Sequence, residues 1–335
     1  MTKHLTRAST TRGGTNRQSG SLQYALRDPS LQWTEESEEP STFGQGFTQH
    51  QVSGGFGFPV IPDRLFGFGS LQLRRRVDAL ESLIGADSRT LQRLGIQPDS
   101  VFRFLDILEQ QYGVPAQVAA VPDDRVTDNV TMLSRWDYRI NQNHQLMLRG
   151  DWRLSSQEGQ RISARGVPHY GGDMESLGGG AMLSLSSVFG GSLLNEFRAY
   201  VATDERNTAP YLMIPAGRVS VRSQLEDGSR PISTLEFGGN TGMPSTSDNE
   251  NLEITNELSW LTPGGAHRYK LGALFTVNRF ASENASNRFG TFTFNSLADF
   301  EAGTPASYTR TLAPQDRRGG SMSGAVYLGD TWRRS

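Results

Sequence analysis

The 335 residues include no cysteine. That removes disulfides, thiolate metal sites and thiol chemistry, and leaves the redox compartment undetermined. Lysine occurs only at Lys3 and Lys270, so nearly all the cationic charge is arginine, in keeping with a base-composition bias of the coding sequence. Nowhere do 18 apolar residues run together, which excludes a transmembrane helix but not a membrane-spanning barrel. With a net charge of -2 and no strongly basic face, a nucleic-acid partner is not expected, because polyanion binding needs clustered cations to release counterions. Hydrophobic residues make up only 36% of the chain while glycine supplies 37 residues, the mark of a turn-rich chain poor in core. The N-terminal stretch MTKHLTRASTTRGG has cations but no apolar segment after them, so it does not read as a secretory signal. Two expectations remain open there: a cytoplasmic protein, or a sequence that lacks its true beginning.

What the sequence does have is alternation. In His144–Leu154, HQLMLRGDWRL, an extended chain puts His144, Leu146, Leu148, Gly150, Trp152 and Leu154 on one side, and Gln145, Met147, Arg149, Asp151 and Arg153 on the other. Just before it, Val130, Met132, Trp136, Tyr138 and Ile140 alternate with Thr131, Arg135, Asp137 and Arg139, and Asn141–Asn143 reverse the chain. Segments 177–189 and 192–205 turn at Gly190-Gly191. A third pair, 251–262 and 267–281, turns at Pro263-Gly264-Gly265 and sets Leu252, Ile254, Leu258 and Trp260 against Glu253, Thr255, Glu257 and Ser259. An earlier pair, about 46–58 and 64–74, turns at Ile61-Pro62-Asp63.

Between the hairpins lie long connections at 75–127, 155–176, 206–250 and 282–320, rich in Gly, Pro, Ser, Asn and charge. Tight turns and long loops alternate strictly. That is the pattern of a transmembrane barrel, with short turns at one rim, long extracellular loops at the other, and strands of about ten residues apolar on the lipid side. The expected fold is all-β: an antiparallel transmembrane β-barrel segment, an incomplete barrel in the form of a curved meander sheet. It has long loops and one short loop helix. A soluble or surface-attached antiparallel sandwich that binds a partner fits alternation alone equally well. The helix is expected over 98–112, where Val101, Phe102, Leu105, Leu108 and Tyr112 repeat at helical spacing, Asp99 or Ser100 caps the start, and Gly113 with Pro115 ends it.

Several stretches carry a family likeness. They are Thr11–Ser21 (TRGGTNRQSGS), Gln51–Phe68 (QVSGGFGFPVIPDRLFGF), the Arg135-Trp136-Asp137-Tyr138 strand with its Asn141–His144 turn, Phe292–Pro305 (FTFNSLADFEAGTP) and Tyr327–Arg333 (YLGDTWR). In that order they resemble the Oar-like TonB-dependent outer-membrane receptors, with Phe58 standing where the family usually has Gly before Pro59. The resemblance implies that residues 1–17 are the tail of a plug domain or disordered. It makes 18–335 a partial barrel of about ten strands, an internal piece of a longer receptor and not competent to insert or transport alone, since open edges leave backbone groups that lipid cannot satisfy. It further implies a location in the bacterial outer membrane and contact with outer-membrane lipid. It also implies coupling to the inner-membrane TonB energy complex through the missing plug, and import of an unknown small-molecule or peptide ligand.

The chemistry-bearing residues are few. Five histidines (4, 50, 144, 169 and 267) show no metal-ligand spacing, Gly13-Gly14-Thr15-Asn16 lacks the Lys of a phosphate loop, Gly178–Gly180 sits within a strand, and Glu226-Asp227-Gly228 is a turn without alternating calcium ligands. No metal, cofactor or catalytic residue is assigned. No GxSxG elbow is present, so a barrel hydrolase, the second alternative, has no particular Ser tied to a His. The candidate lumen-facing charges are Arg135, Asp137, Arg149, Asp151, Arg153, Glu253 and Glu257, either as paired, hydrated wall ions or as ligand contacts. Tyr211, Phe289 and Tyr308 are the candidate aromatic ligand contacts in the loops.

Overall fold

A computed structural model describes residues 15–31, 46–116, 121–225, 228–284, 286–313 and 315–333. Most of the expected plug tail, residues 1–14, and the Glu226-Asp227 turn lie outside the described residues. In chain order come β1 (Ser19–Arg27), β2 (Phe47–Ile61), β3 (Leu65–Ala79), α1 (Ser88–Arg93), α2 (Pro98–Gln110), β4 (Asp124–Arg139), β5 (His144–Gln160), β6 (Gly172–Phe189) and β7 (Leu193–Pro210). Then follow β8 (Ala216–Arg222), β9 (Ile232–Gly238), β10 (Ser245–Leu261), β11 (His267–Asn284), β12 (Thr291–Phe294), α3 (Leu297–Glu301), β13 (Ser307–Thr309) and β14 (Gln315–Trp332). Ten strands make one antiparallel meander in the order β1-β2-β3-β4-β5-β6-β7-β10-β11-β14, and β13-β12-β8-β9 make a second, four-stranded sheet.

The hairpin turns are built from local chemistry. Asn141 Oδ1 accepts from the backbone N–H groups of Asn143 (2.8 Å) and His144 (2.9 Å), closing the β4–β5 turn. Gly190 (φ 56°) and Gly191 (φ 74°) take the left-handed backbone that the β6–β7 turn requires. The strands outrun the expected ten residues: β4 reaches back to Asp124 and β7 forward to Pro210, so the loops are correspondingly shorter than the sequence suggested.

Register fixes the faces. Arg135 lies opposite Arg149 and Phe68, Leu133 opposite Asp151, Thr131 opposite Arg153, Tyr200 opposite both Met182 and Glu253, and Glu257 opposite Glu196 and Gly272. Directly opposed residues share a face, so all seven candidate charges stand on the same side of the sheet. The other side carries Leu22, Val52, Leu71, Met132, Trp136, Leu148, Trp152, Leu177, Val201, Phe275 and Val326, every one exposed. Leu148 is 44% and Trp152 47% exposed, so no second layer covers them and the sandwich alternative is ruled out. From Leu146 to Leu154 the apolar stripe runs roughly 27 Å along the strand, or ~20 Å of height at a ~40° tilt, close to the lipid-facing band of a barrel.

The buried core is elsewhere. Among the described residues, only Phe66 of the buried hydrophobic ones belongs to the ten-stranded sheet; Leu83, Ile96, Phe104, Leu108, Val167, Val219, Leu235, Phe237 and Phe300 all come from the long connections. These segments fold together as a cap. The expectation of one short loop helix is therefore corrected: among the described residues there are three α-helices and an extra sheet, because chain that would otherwise be loop buries enough apolar surface to order itself. The helix expected over 98–112 is α2. Its N-cap is Gln97 with Pro98 in the first turn, in place of an Asp99 or Ser100 cap, and it ends before Gly113 (φ 62°). Phe102, counted in the apolar spacing, is 69% exposed, while Phe104 is fully buried.

Candidate ligand-facing surfaces

The polar face of the sheet is mostly self-paired. Arg135 grips Asp137 with two bonds of 2.9 Å, from Nε to Oδ2 and from Nη2 to Oδ1, and both side chains are largely buried. Arg149 Nη2 lies 3.3 Å from Asp151 Oδ1. Glu257 accepts from Lys270 Nζ at 2.7 Å through one oxygen and from the Tyr327 hydroxyl at 2.6 Å through the other. Arg153 is exposed and Glu253 half-buried on the same wall, the second directly opposite Tyr200. The Tyr200 ring lies across Gly180, where an added Cβ would sit 2.5 Å from the phenol oxygen, and on the reverse side the Trp152 indole lies against Gly179. The glycine run in β6 thus seats one aromatic ring on each face of the wall.

At the rim, the three candidate aromatic contacts fall into two places. The Tyr211 hydroxyl donates to Asp173 Oδ1 and accepts from Gly159 N–H at 2.8 Å, tying the tops of β5, β6 and β7. Burial, then the Asp173 bond, holds this phenol above its ordinary pKa. Phe289 and Tyr308 are joined instead, the Tyr308 hydroxyl donating to the Phe289 carbonyl at 3.3 Å, with the Tyr308 ring 4.5 Å from Phe292. Tyr308 is 47% exposed and offers a ring face to solvent.

The cap fixes these rims. β12 pairs in parallel with β8, Thr291 opposite Ala216 and Phe294 opposite Val219, so two connections far apart in sequence share one sheet. α2 packs over it: Phe104 is 5.6 Å from Phe300 and 5.9 Å from Phe237, and Tyr112 stacks on Phe300 at 4.7 Å while its hydroxyl donates to the Phe300 carbonyl at 2.6 Å. His169 is fully buried beneath, accepting from Gly238 N–H through Nε2 at 3.1 Å. Burial pushes its imidazole down to about 4; the carbonyls of Ala116 and Pro115 pull the other way without making a bond of good geometry to Nδ1. Nothing in the sequence marked His169. Alternation at Val219 and Val221, and at Leu235 and Phe237, was the available signal for β8 and β9.

For hydrolysis, His144 Nδ1 does meet Ser187 Oγ at 2.8 Å, but both sit on the apolar face, Ser187 is buried, and Phe189 packs edge-on against the imidazole. His267 is bonded to Asp330 at 2.7 Å on other strands, so the groups of a triad are not brought together among the described residues. No group of metal-ligating side chains is assembled among the described residues.

A single-layer, ten-stranded meander, apolar and exposed on one face, polar and self-paired on the other, defines the wall of a transmembrane β-barrel. Residues 104–335 match the outer membrane beta barrel domain family, and the chain belongs to that family. No curated protein matches the sequence. Among solved structures, the outer membrane transporter YddB from Escherichia coli superposes with a TM-score of 0.60 at 13% identity, over 96% of this chain and 38% of that one. The siderophore receptor PiuA from Acinetobacter baumannii gives 0.49 at 10% identity, over 96% of this chain and 44% of that one. The fold likeness rests on the first. This chain thus spans less than half the length of either. The receptor-like reading of the sequence is borne out at the level of barrel family and fold.

Proposed function

We propose that the chain forms barrel wall and extracellular cap of an outer-membrane receptor that takes up a small-molecule or peptide ligand from outside and imports it, energised by the inner-membrane TonB complex acting through a plug. The observation that carries this reading is that the ten strands have almost no buried core of their own. Their large side chains are exposed along one continuous face, and only lipid satisfies such a surface. The same geometry supports a lumen role for Arg135, Asp137, Arg149, Asp151, Arg153, Glu253 and Glu257, since a face opposite lipid in a barrel is the wet one. Tyr308 and Phe289 are the proposed ligand contacts at the rim, and Tyr211 serves it by holding strand tops in place.

The missing cysteine makes the topology directly testable, since each introduced thiol is the only one in the chain. In intact cells producing the full reading frame that contains this chain, a membrane-impermeant maleimide is expected to label Leu312→Cys, at a side chain 92% exposed in the cap, and not Gln142→Cys in the β4–β5 hairpin turn. Leu148→Cys is expected to resist labelling until the membrane is dissolved. Equal labelling of all three would end the barrel reading. Import is tested by following medium solutes in cells with and without the gene. A solute removed only by the producing cells, in a protonophore-sensitive way, and removed more slowly by Tyr308→Ala, supports it; no such solute refutes it.

A further inference from the structure

At one end of the sheet the outward face changes from apolar to charged on strand after strand. Leu73 is followed by Arg75, Val130 by Asp128, Leu177 by Glu175, Leu252 by Glu250 and Val277 by Arg279, each two residues further toward the cap on the same face. On β14, Met322 gives way to Gly320 and then Arg318. A line of this kind around a membrane wall marks the depth where acyl chains end and headgroups begin. Most of the charges along it are acidic, or already paired, as Arg75 is with Asp128 at 2.7 Å.

One place differs. Across β10, β11 and β14 an open groove of 410 Å³ is lined by Asp248, Glu250, Arg279, Arg318, Gly319 and Gly320. Arg279 lies opposite Gly320 and Arg318 opposite Ala281, so the two arginines are diagonal neighbours on the outward face, with only Gly320 and the Ala281 methyl at the other two corners. The Arg279 side chain is 73% exposed, and its ion pair to Glu250 is loose at 3.9 Å. Directly below, Leu252, Val277 and Met322 continue the apolar band. Two guanidinium forks spanning a gap at headgroup depth match a phosphate, which accepts paired N–H donors from arginine.

We propose that Arg279 and Arg318 bind the phosphorylated headgroup of an outer-leaflet lipid, whose acyl chains lie on Leu252, Val277 and Met322. The occupant is a lipid and not a free anion because the groove is continuous with the lipid-facing band, and because Asp248 and Glu250 beside it make a poor site for a small anion held by nothing else. This inference rests on the outward face meeting lipid, which the Leu148→Cys labelling tests separately.

The experiment uses the full reading frame purified in a neutral detergent. Phosphorylated lipid A, its fully dephosphorylated form, or inorganic phosphate is added, and retained lipid is counted by native mass spectrometry. Wild type is expected to retain phosphorylated lipid A over the dephosphorylated form. Arg279→Gln with Arg318→Gln is expected to lower that retention about tenfold. Arg279→Lys with Arg318→Lys restores it in part, which a barrel damaged by the substitution would not do. Equal retention of the two lipid forms by wild type, no change in the glutamine variant, or full displacement by inorganic phosphate at millimolar concentration would overturn the proposal.

Discussion

Acidification should loosen the cap before the wall, and His169 is the reason. The imidazole is fully buried in the cap core, with Nε2 accepting from Gly238, and burial pushes its pKa to about 4. In the unfolded chain the ordinary value is about 6.5. Because the folded state resists the proton and the unfolded state accepts it, the contribution is fully present above pH 6.5. It falls as the pH drops, and is lost completely below about 4. Applying the linkage relation to these two values gives a loss of ~2 kcal/mol by pH 5 and ~3 kcal/mol by pH 4, relative to pH 7. The assay is amide hydrogen exchange, comparing cap amides such as those of Val219, Leu235 and Gly238 with β4 and β5 amides of the wall. Cap protection should fall by about tenfold to thirtyfold between pH 7 and pH 5, after correction for intrinsic exchange, while wall protection changes little. In His169→Gln the side-chain oxygen still accepts from Gly238, so that the cap persists and loses this pH dependence. Every other group is common to the two proteins, so the difference between the two curves is the quantity that matters. A wild-type curve as flat as the glutamine variant's would refute the argument.

Three further outcomes follow from the same structure. Leu148→Arg puts a cation in the middle of the outward band and should cost ~2–4 kcal/mol in insertion, read from denaturant titration in vesicles, whereas the same change in a water-facing wall would cost almost nothing. Asp137→Ala leaves a largely buried Arg135 without its bidentate partner and should lower wall stability by ~3–5 kcal/mol, while Arg135→Met with Asp137→Leu recovers most of the loss; equal damage from both would contradict a structural role for the pair. Phe104→Ala removes a fully buried ring packed on Phe237 and Phe300 and should cost the cap ~3–5 kcal/mol, visible as faster exchange at Leu235 and Phe237 with the β4–β5 hairpin unchanged.

Pairing of the charges on the polar face shows how far local reading reaches. Arg135 and Asp137 stand two apart on one strand, as do Arg149 and Asp151, so a strand's two-residue period already puts each pair on one face at bonding distance. The bond from Tyr327 to Glu257 joins residues 70 apart in the chain, and only the β10-β11-β14 order brings them together. The three aromatic loop residues divide the same way. Tyr308 and Phe289 flank one small hairpin in the cap, whereas Tyr211 answers to Asp173 on a different strand.

By itself the sequence determined most of the wall: eight of its ten strands, where the tight turns between them fall, and which side of each is greasy. It could do so because alternation and turn chemistry are properties of neighbours, and a meander pairs each strand with the next one along. Tertiary structure decided the cap, of which only α2 showed itself beforehand, through its helical spacing. β8, β9, β12 and α3 are each too short or too weakly patterned to declare themselves, and they become ordered only when Phe104, Phe237, Phe294 and Phe300, drawn from four separate segments, bury one another.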